Sequence, residues 1–261
     1  KIIQLLESFE NWQIEHVYRD NNKQADKLAN DAMDKKHDIA LKTGQNTKTG
    51  TSGKKPLRLG ILLSGGGTTM LNIQKEIEAG RLNAQIVTVI SSLSNVRGVD
   101  HAKNLGFDLH VIRKKDHPDI DSFSKRIEEV LTAADVELVV QAGWLCLWKI
   151  PENYENRVMN IHPALLPSFG GKGMWGHHVH EAVVKHGCKV SGCTVHFCNN
   201  EYDKGPIIVQ KGCSINDRDD ADAVAEKVFK QECIAYPTAI RLFEEGRLKV
   251  VDGIVKVKPT P

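Results

Sequence analysis

The sequence predicts an α/β fold: a mostly parallel sheet with helices on both faces and an antiparallel C-terminal portion. Three observations predict it. From Leu57 onward, strands that are apolar on both faces alternate with helices, the pattern of a parallel sheet covered on both sides. A glycine turn, Gly65-Gly66-Gly67-Thr68-Thr69, joins the first of these strands to the first helix. In the second half the character changes, and Lys189–Cys198 and Pro206–Ile215 read as adjacent, antiparallel strands.

The elements follow in order. Residues 1–33 form a piece of their own, with Trp12–Tyr18 alternating as a strand and Asn22–Met33 placing Ala25, Leu28, Ala29 and Ala32 on one helical face. Across residues 34–56 the apolar pattern disappears in favour of Lys, Thr, Gly, Ser and Asn, the composition of a flexible linker. The main domain is residues 57–261. It opens with the strand Leu57–Ser64 and a helix over Met70–Ala79, then the strand Ala84–Ser91 and a helix around Val99–Leu105. A short strand Leu109–Arg113, a helix Ser122–Ala134 and the strands Glu137–Gly143 and Val158–Ile161 come next. Ser168–Gly176, with Gly170, Gly171, Gly173 and Gly176, reads as a mobile loop before a helix over His177–His186. A long helix spans Ala221–Glu245, where Pro237 is expected to kink or break it. Val250–Val255 reads as a closing hairpin turned at Asp252-Gly253.

Composition narrows the function classes. A chain of 261 residues, 41% hydrophobic, can bury a real core in one large domain or one domain plus an appendage. A formal charge of +2 does not by itself indicate a nucleic-acid or membrane partner. No run of 18 apolar residues occurs, so no transmembrane helix is expected. With no secretory signal visible, a cytoplasmic protein is expected, and the start at Lys1 rather than Met reads as a fragment or processed chain. The six cysteines, Cys146, Cys188, Cys193, Cys198, Cys213 and Cys233, include no CxxC and are expected to be buried and reduced.

The chemistry concentrates in Met159-Asn160-Ile161-His162-Pro163-Ala164-Leu165-Leu166-Pro167. Side chains two apart in a strand share a face, so Asn160 and His162 project together. Pro163 biases His162 toward extended backbone, which supports that geometry. Asp203, in the turn Tyr202-Asp203-Lys204-Gly205-Pro206, supplies a carboxylate. Asn, His and Asp form a set suited to acyl-type transfer, with two groups for a developing oxyanion and a carboxylate to tune the histidine. A capping Asn, a core His and a turn Asp are the alternative reading of the same residues. The glycine turn brings backbone N–H groups and a helix N-terminus to one point, which suits a phosphate, though a bare βα turn has the same sequence. It is neither a P-loop nor GxGxxG, so a nucleotide triphosphatase or dinucleotide enzyme is disfavoured. His177, His178, His180 and His186 are spread around a helix and its start and do not converge, so no metal is expected there. On pattern alone Glu232 is a helix-surface glutamate.

These residues resemble the glycinamide ribonucleotide formyltransferase family of purine biosynthesis, over about Leu57–Val251. The resemblance rests on Arg157-Val158-Met159-Asn160-Ile161-His162-Pro163-Ala164-Leu165-Leu166-Pro167, Gly192-Cys193-Thr194-Val195-His196-Phe197 and Asp203-Lys204-Gly205-Pro206-Ile207-Ile208-Val209-Gln210, in this order and spacing. It implies a Rossmann-like formyltransferase fold and transfer of formyl from the co-substrate 10-formyltetrahydrofolate to the amine of glycinamide ribonucleotide, with Asn160, His162 and Asp203 catalytic. It implies that Gly67, Thr68 and Thr69 meet the ribonucleotide phosphate and that Glu232 contacts the same substrate. Leu145, Cys146, Leu147 and Trp148, with Asn199, Asn200, Glu201 and Tyr202, match the segments that enclose the pterin. On this reading Asp203 keeps His162 charged and no metal takes part. Three departures stand out: Cys146 replaces a frequent arginine, Thr69 replaces a common asparagine, and the Gly170–Gly176 loop is longer than in compact members.

Residues 1–33 resemble the C-terminal strand and helix of ribonuclease H, on His16-Val17-Tyr18-Arg19-Asp20-Asn21-Asn22 and Ala25-Asp26-Lys27-Leu28-Ala29. Asp26 matches a metal-binding carboxylate there, but one carboxylate cannot hold a two-metal site. The segment reads as the remnant of an upstream domain. The alternatives to ribonucleotide formylation are a formyltetrahydrofolate hydrolase, RNA–DNA hybrid binding through residues 1–33, and an inactive scaffold. A methionyl-tRNA formyltransferase is disfavoured because it carries a basic C-terminal barrel, for which little chain follows Val255. Small-molecule substrates, no membrane and a monomer or homodimer complete the expectation.

Overall fold

The computed structural model describes residues 55–259. The strand and helix expected in residues 1–33, and nearly all of the expected linker, lie outside the described residues.

The strands are β1 (Leu57–Leu63), β2 (Ala84–Ser91), β3 (Leu109–Val111), β4 (Leu138–Gln141), β5 (Val158–His162), β6 (Val190–Phe197), β7 (Ile207–Ser214), β8 (Leu248–Val251) and β9 (Ile254–Val257). The α-helices are α1 (Thr68–Glu78), α2 (Arg97–Asn104), α3 (Ile120–Ala133), α4 (His177–Lys185) and α5 (Ala221–Glu244). Among the described residues, no helix is long and apolar enough to cross a membrane. Seven strands form one sheet in the order β3-β2-β1-β4-β5-β6-β7. The pairs from β3 to β5 are parallel, and β5–β6 and β6–β7 are antiparallel, as the sequence predicts. The chain builds outward from β1 to β3 and then returns to β4 on the other side of β1. That reversal opens a crevice beyond the carboxyl ends of β1 and β4, where open α/β sheets bind ligands.

Alternation along the strands fills both faces. Leu59, Ile61 and Leu63 pack with Met70 and Ile73 of α1 and with Val224, Val228, Tyr236 and Ile240 of α5. Leu62, Ile90, Val139 and Val158 face the other way, toward Phe123, Ile127 and Leu131 of α3 and toward Trp144, Trp148 and Tyr154. Each such side chain contributes roughly 1.5–3 kcal/mol by leaving water.

Pro237 lies inside an unbroken α5, so of the expected kink or break the break does not occur. Proline leaves the carbonyl four residues earlier without its donor. Here that carbonyl belongs to Cys233, and the Asn72 side chain of α1 donates to it at 3.0 Å. Next to Pro237, the Tyr236 hydroxyl lies 3.0 Å from the Gln141 carbonyl and 2.8 Å from that of Met159, fixing α5 against the ends of β4 and β5. Glu232, one turn earlier on the same side, is thereby brought to the crevice. The closing hairpin forms as β8–β9, with φ of 51° at Asp252 and 73° at Gly253. All six cysteines are unpaired, but only Cys193 is buried, and the other five are half-buried.

Candidate active site

The site is built on the β5–β6 ladder. In that antiparallel pair Asn160 stands opposite His196, and His162 opposite Thr194. Cross-strand partners share a face, so Asn160, His162 and His196 project together. The β6–β7 register shifts between Val195 and His196, an irregularity of the kind that re-aims side chains at functional edges. Beyond β5, Thr194 and Gln210 hold the Pro163–Pro167 segment. The Thr194 hydroxyl donates to the Ala164 carbonyl at 2.7 Å and accepts the Leu166 N–H at 3.0 Å, and the Gln210 amide donates to the Leu166 carbonyl at 2.9 Å.

Asp203 completes the cluster. Its backbone is left-handed, at φ 55°. Gly205 is required two residues later, because a Cβ there would fall 1.7 Å from the Phe197 carbonyl oxygen. The turn sets one Asp203 oxygen 3.5 Å from His162 Nδ1 and the other 3.6 Å from His196 Nε2. The Gly171 N–H donates to it at 2.8 Å. Asn160 Nδ2 lies 3.3 Å from His196 Nε2. His162 Nε2–H donates to the Phe169 carbonyl at 2.8 Å. The stretch expected as a mobile loop is thus tied to the site at Phe169 and Gly171.

Burial and charge shift the titrating groups of the site. Burial pushes the Asp203 carboxyl up, but the neighbouring His196 and His162 imidazoles and the Gly171 N–H together hold it below the usual carboxylate range. Burial pulls His162 below the ordinary histidine value and outweighs the Asp203 carboxylate. The Asp203 carboxylate, expected to keep His162 charged, raises it from 3.5 Å but offsets only part of the desolvation. Burial raises Glu232 to about 7. His180 is lowered to about 4 by burial first, then by His177 and His162.

These groups line a cavity of about 540 Å³ that also takes in Thr69, Leu145, Cys146, Leu147, Trp148, Asn199, Glu201, Tyr202 and Glu232. Its volume is ordinary for a small-molecule site. Three of the predicted residues lie outside its wall. Gly67 is the left-handed N-cap of α1, where a Cβ would meet the Gly98 Cα at 2.8 Å, so its demand is close packing against α2. Thr68 is exposed. The Asn200 side chain accepts the Ile150 N–H at 2.9 Å and so braces the wall from outside. Trp148 touches the cavity but is only 2% exposed and belongs to the core. Glu232 is no surface residue: it faces the cavity from α5.

Sequence reasoning missed His196, Lys172 and His180 on this wall. His196 has the strand parity of Thr194, but only the β5–β6 register places it beside Asn160. His177 and His178 pair with Glu181, and His186 with the Ala182 carbonyl, while His180 is buried with its Nδ1 unpartnered. Among the described residues, no three His, Cys, Asp or Glu side chains group so as to hold a metal ion.

A family model described as formyl transferase matches residues 57–240. A relative from Arabidopsis thaliana, named phosphoribosylglycinamide formyltransferase, chloroplastic, is 33% identical over 195 residues, 74% of this chain and 67% of that protein. One from Haemophilus influenzae, named phosphoribosylglycinamide formyltransferase, is 30% identical over 199 residues, 76% of this chain and 92% of that protein. The chain belongs to this formyltransferase family. The formyltransferase also matches the trifunctional purine biosynthetic protein adenosine-3 of Gallus gallus at 32% identity, spanning only 19% of that protein's length. The solved glycinamide ribonucleotide transformylase 1 from Symbiobacterium toebii superposes with a TM-score of 0.74 at 33% identity, over 83% of this chain and all of that one. A formyltetrahydrofolate deformylase from Pseudomonas syringae shares the fold, with a TM-score of 0.70 at 21% identity over 80% of the formyltransferase and 68% of that chain. A second family model, described as reverse transcriptase-like, matches residues 1–32.

Proposed function

We propose that this formyltransferase moves the formyl group of 10-formyltetrahydrofolate to the primary amine of glycinamide ribonucleotide, with Asn160, His162 and Asp203 as the catalytic residues. The amine nitrogen bonds to the formyl carbon, and the carbonyl oxygen becomes an oxyanion. The carbon–N10 bond then breaks, the amine loses a proton and N10 gains one. An Asn160 N–H donates to the oxyanion. His162 joins it by exchanging the Phe169 carbonyl for the substrate oxygen, and Asp203, kept anionic, accepts the ammonium proton directly or through water. Every role falls to a side chain or to the co-substrate, so the reading calls for no metal.

The observation that carries the proposal is the half-buried Asp203 carboxylate between two imidazoles, with Asn160 alongside, at the cavity wall. The apolar Leu145 and Leu147 with Asn199 and Tyr202 suit a flat heterocycle. Thr69 and Glu232 are the candidates for the ribonucleotide, and Gly67 and Thr68 reach it only if its phosphate lies outside the cavity. Purified protein mixed with both substrates is expected to release tetrahydrofolate only when the ribonucleotide is present. Formate release without it identifies a hydrolase, and no turnover at all overturns the reading. We further propose a cytoplasmic monomer or homodimer, with residues 1–33 as a ribonuclease H-like remnant and residues 34–56 as a linker.

A further inference from the structure

His196 has no part in the step just described, yet it touches two of the groups that perform it. It is 2% exposed. Its Nδ1 lies 2.8 Å from the Phe197 carbonyl oxygen. A carbonyl only accepts, so Nδ1 carries hydrogen, and in the neutral ring Nε2 offers a lone pair. Of the two groups facing that lone pair, Asn160 Nδ2 lies within hydrogen-bond distance at 3.3 Å, while Asp203 Oδ1 stands outside it at 3.6 Å. Among the described residues this is the only hydrogen bond made by the Asn160 side chain. The contact decides which end of the amide faces the ring. With Nε2 as acceptor, the NH₂ group must point to His196, and the flipped amide would set an oxygen against a lone pair.

We propose that His196 is a positioning residue for formyl transfer: it holds one Asn160 N–H so that the other is presented to the developing oxyanion. The inference rests on the reaction proposed above. Its physical content is that an oxyanion donor works only when aimed before the charge develops. An amide free to rotate would spend much of its time with its oxygen toward the substrate oxygen.

Two substitutions separate the two ring nitrogens. His196→Asn keeps a donor near the Nδ1 position and removes the Nε2 acceptor. His196→Gln reaches further and can place an amide oxygen near the Nε2 position. We expect His196→Asn to lower kcat by roughly 10- to 100-fold, with both KM values within about twofold of wild type, and His196→Gln to retain more of kcat. In an Asn160→Ala background the His196→Asn change should cost nothing further, because its effect passes through the Asn160 amide. Equal losses in both backgrounds, or a loss confined to KM, overturns the assignment. A ¹⁵N spectrum of histidine-labelled wild-type protein gives a readout independent of turnover. Protonated Nδ1 with unprotonated Nε2 at His196 supports the orientation, and the opposite tautomer overturns it. Wild-type turnover in the same series keeps a failure of the reaction reading distinct from a failure of the His196 role.

Discussion

Asn72 on α1 donates its side-chain amide to the carbonyl of Cys233 on α5, the carbonyl that Pro237 deprives of a backbone donor. One hydrogen bond between helices lets α5 run unbroken past a proline and carry both Tyr236 and Glu232 to the sheet edge. Asn72→Leu is therefore expected to lower stability by about 1–3 kcal/mol, the typical effect of leaving a shielded carbonyl unsatisfied. In a Pro237→Ala background the backbone donor returns and the same change should cost less. Denaturant unfolding of the four proteins checks this, and equal losses in both backgrounds would refute the pairing.

Asp203→Asn should reduce turnover by about 100- to 10,000-fold, in the range of a lost general base. An amide oxygen can still accept the Gly171 N–H, so folding should be kept. His162→Ala should be comparably damaging. Near-wild-type rates in either purified, folded variant would remove these residues from the mechanism.

Glu232 gives a pH signature. Its folded pKa of about 7 lies above the ordinary 4.5, so folding takes up a proton between those values. Its favourable contribution is complete below 4.5 and is lost as pH rises through 7. Glu232→Gln mimics the protonated form. The variant should melt with the wild type near pH 4 and above it at pH 8. A difference that stays flat across this range would show that the carboxyl is not desolvated.

Gly205→Ala tests the turn that aims Asp203. The new Cβ would lie 1.7 Å from the Phe197 oxygen, so backbone must move. A loss of at least about 1–3 kcal/mol is expected, together with reduced turnover. Gly212→Ala, whose Cβ meets nothing closer than 3.6 Å, is the control and should stay near wild type in thermal melting.

Lys172 is the only Lys or Arg among the residues lining the cavity, and both proposed substrates are anionic. Lys172→Ala should therefore raise KM for at least one substrate by a few-fold, as for an exposed ion pair worth up to about 1 kcal/mol, with kcat spared. Steady-state kinetics at two salt concentrations decide it: unchanged KM at low salt would discard the role.

Much of this was readable in the chain itself. Alternation of apolar strands with helices determined the α/β sheet, and a period of two put Asn160 and His162 on one face, because both patterns depend on residues close in sequence. The turn residues Gly205 and Asp252-Gly253 announced themselves for the same local reason. Three features could be decided only by the tertiary structure. His196 joined the site through the β5–β6 register, which no single strand encodes. Pro237 was tolerated because Asn72, distant in sequence, supplied the missing donor. Glu232 changed from surface glutamate to cavity wall, and His162 was lowered rather than raised, because desolvation depends on what the whole fold packs around a group. Local periodicity sets direction along the chain, whereas register, burial and long-range hydrogen bonds exist only once distant segments meet.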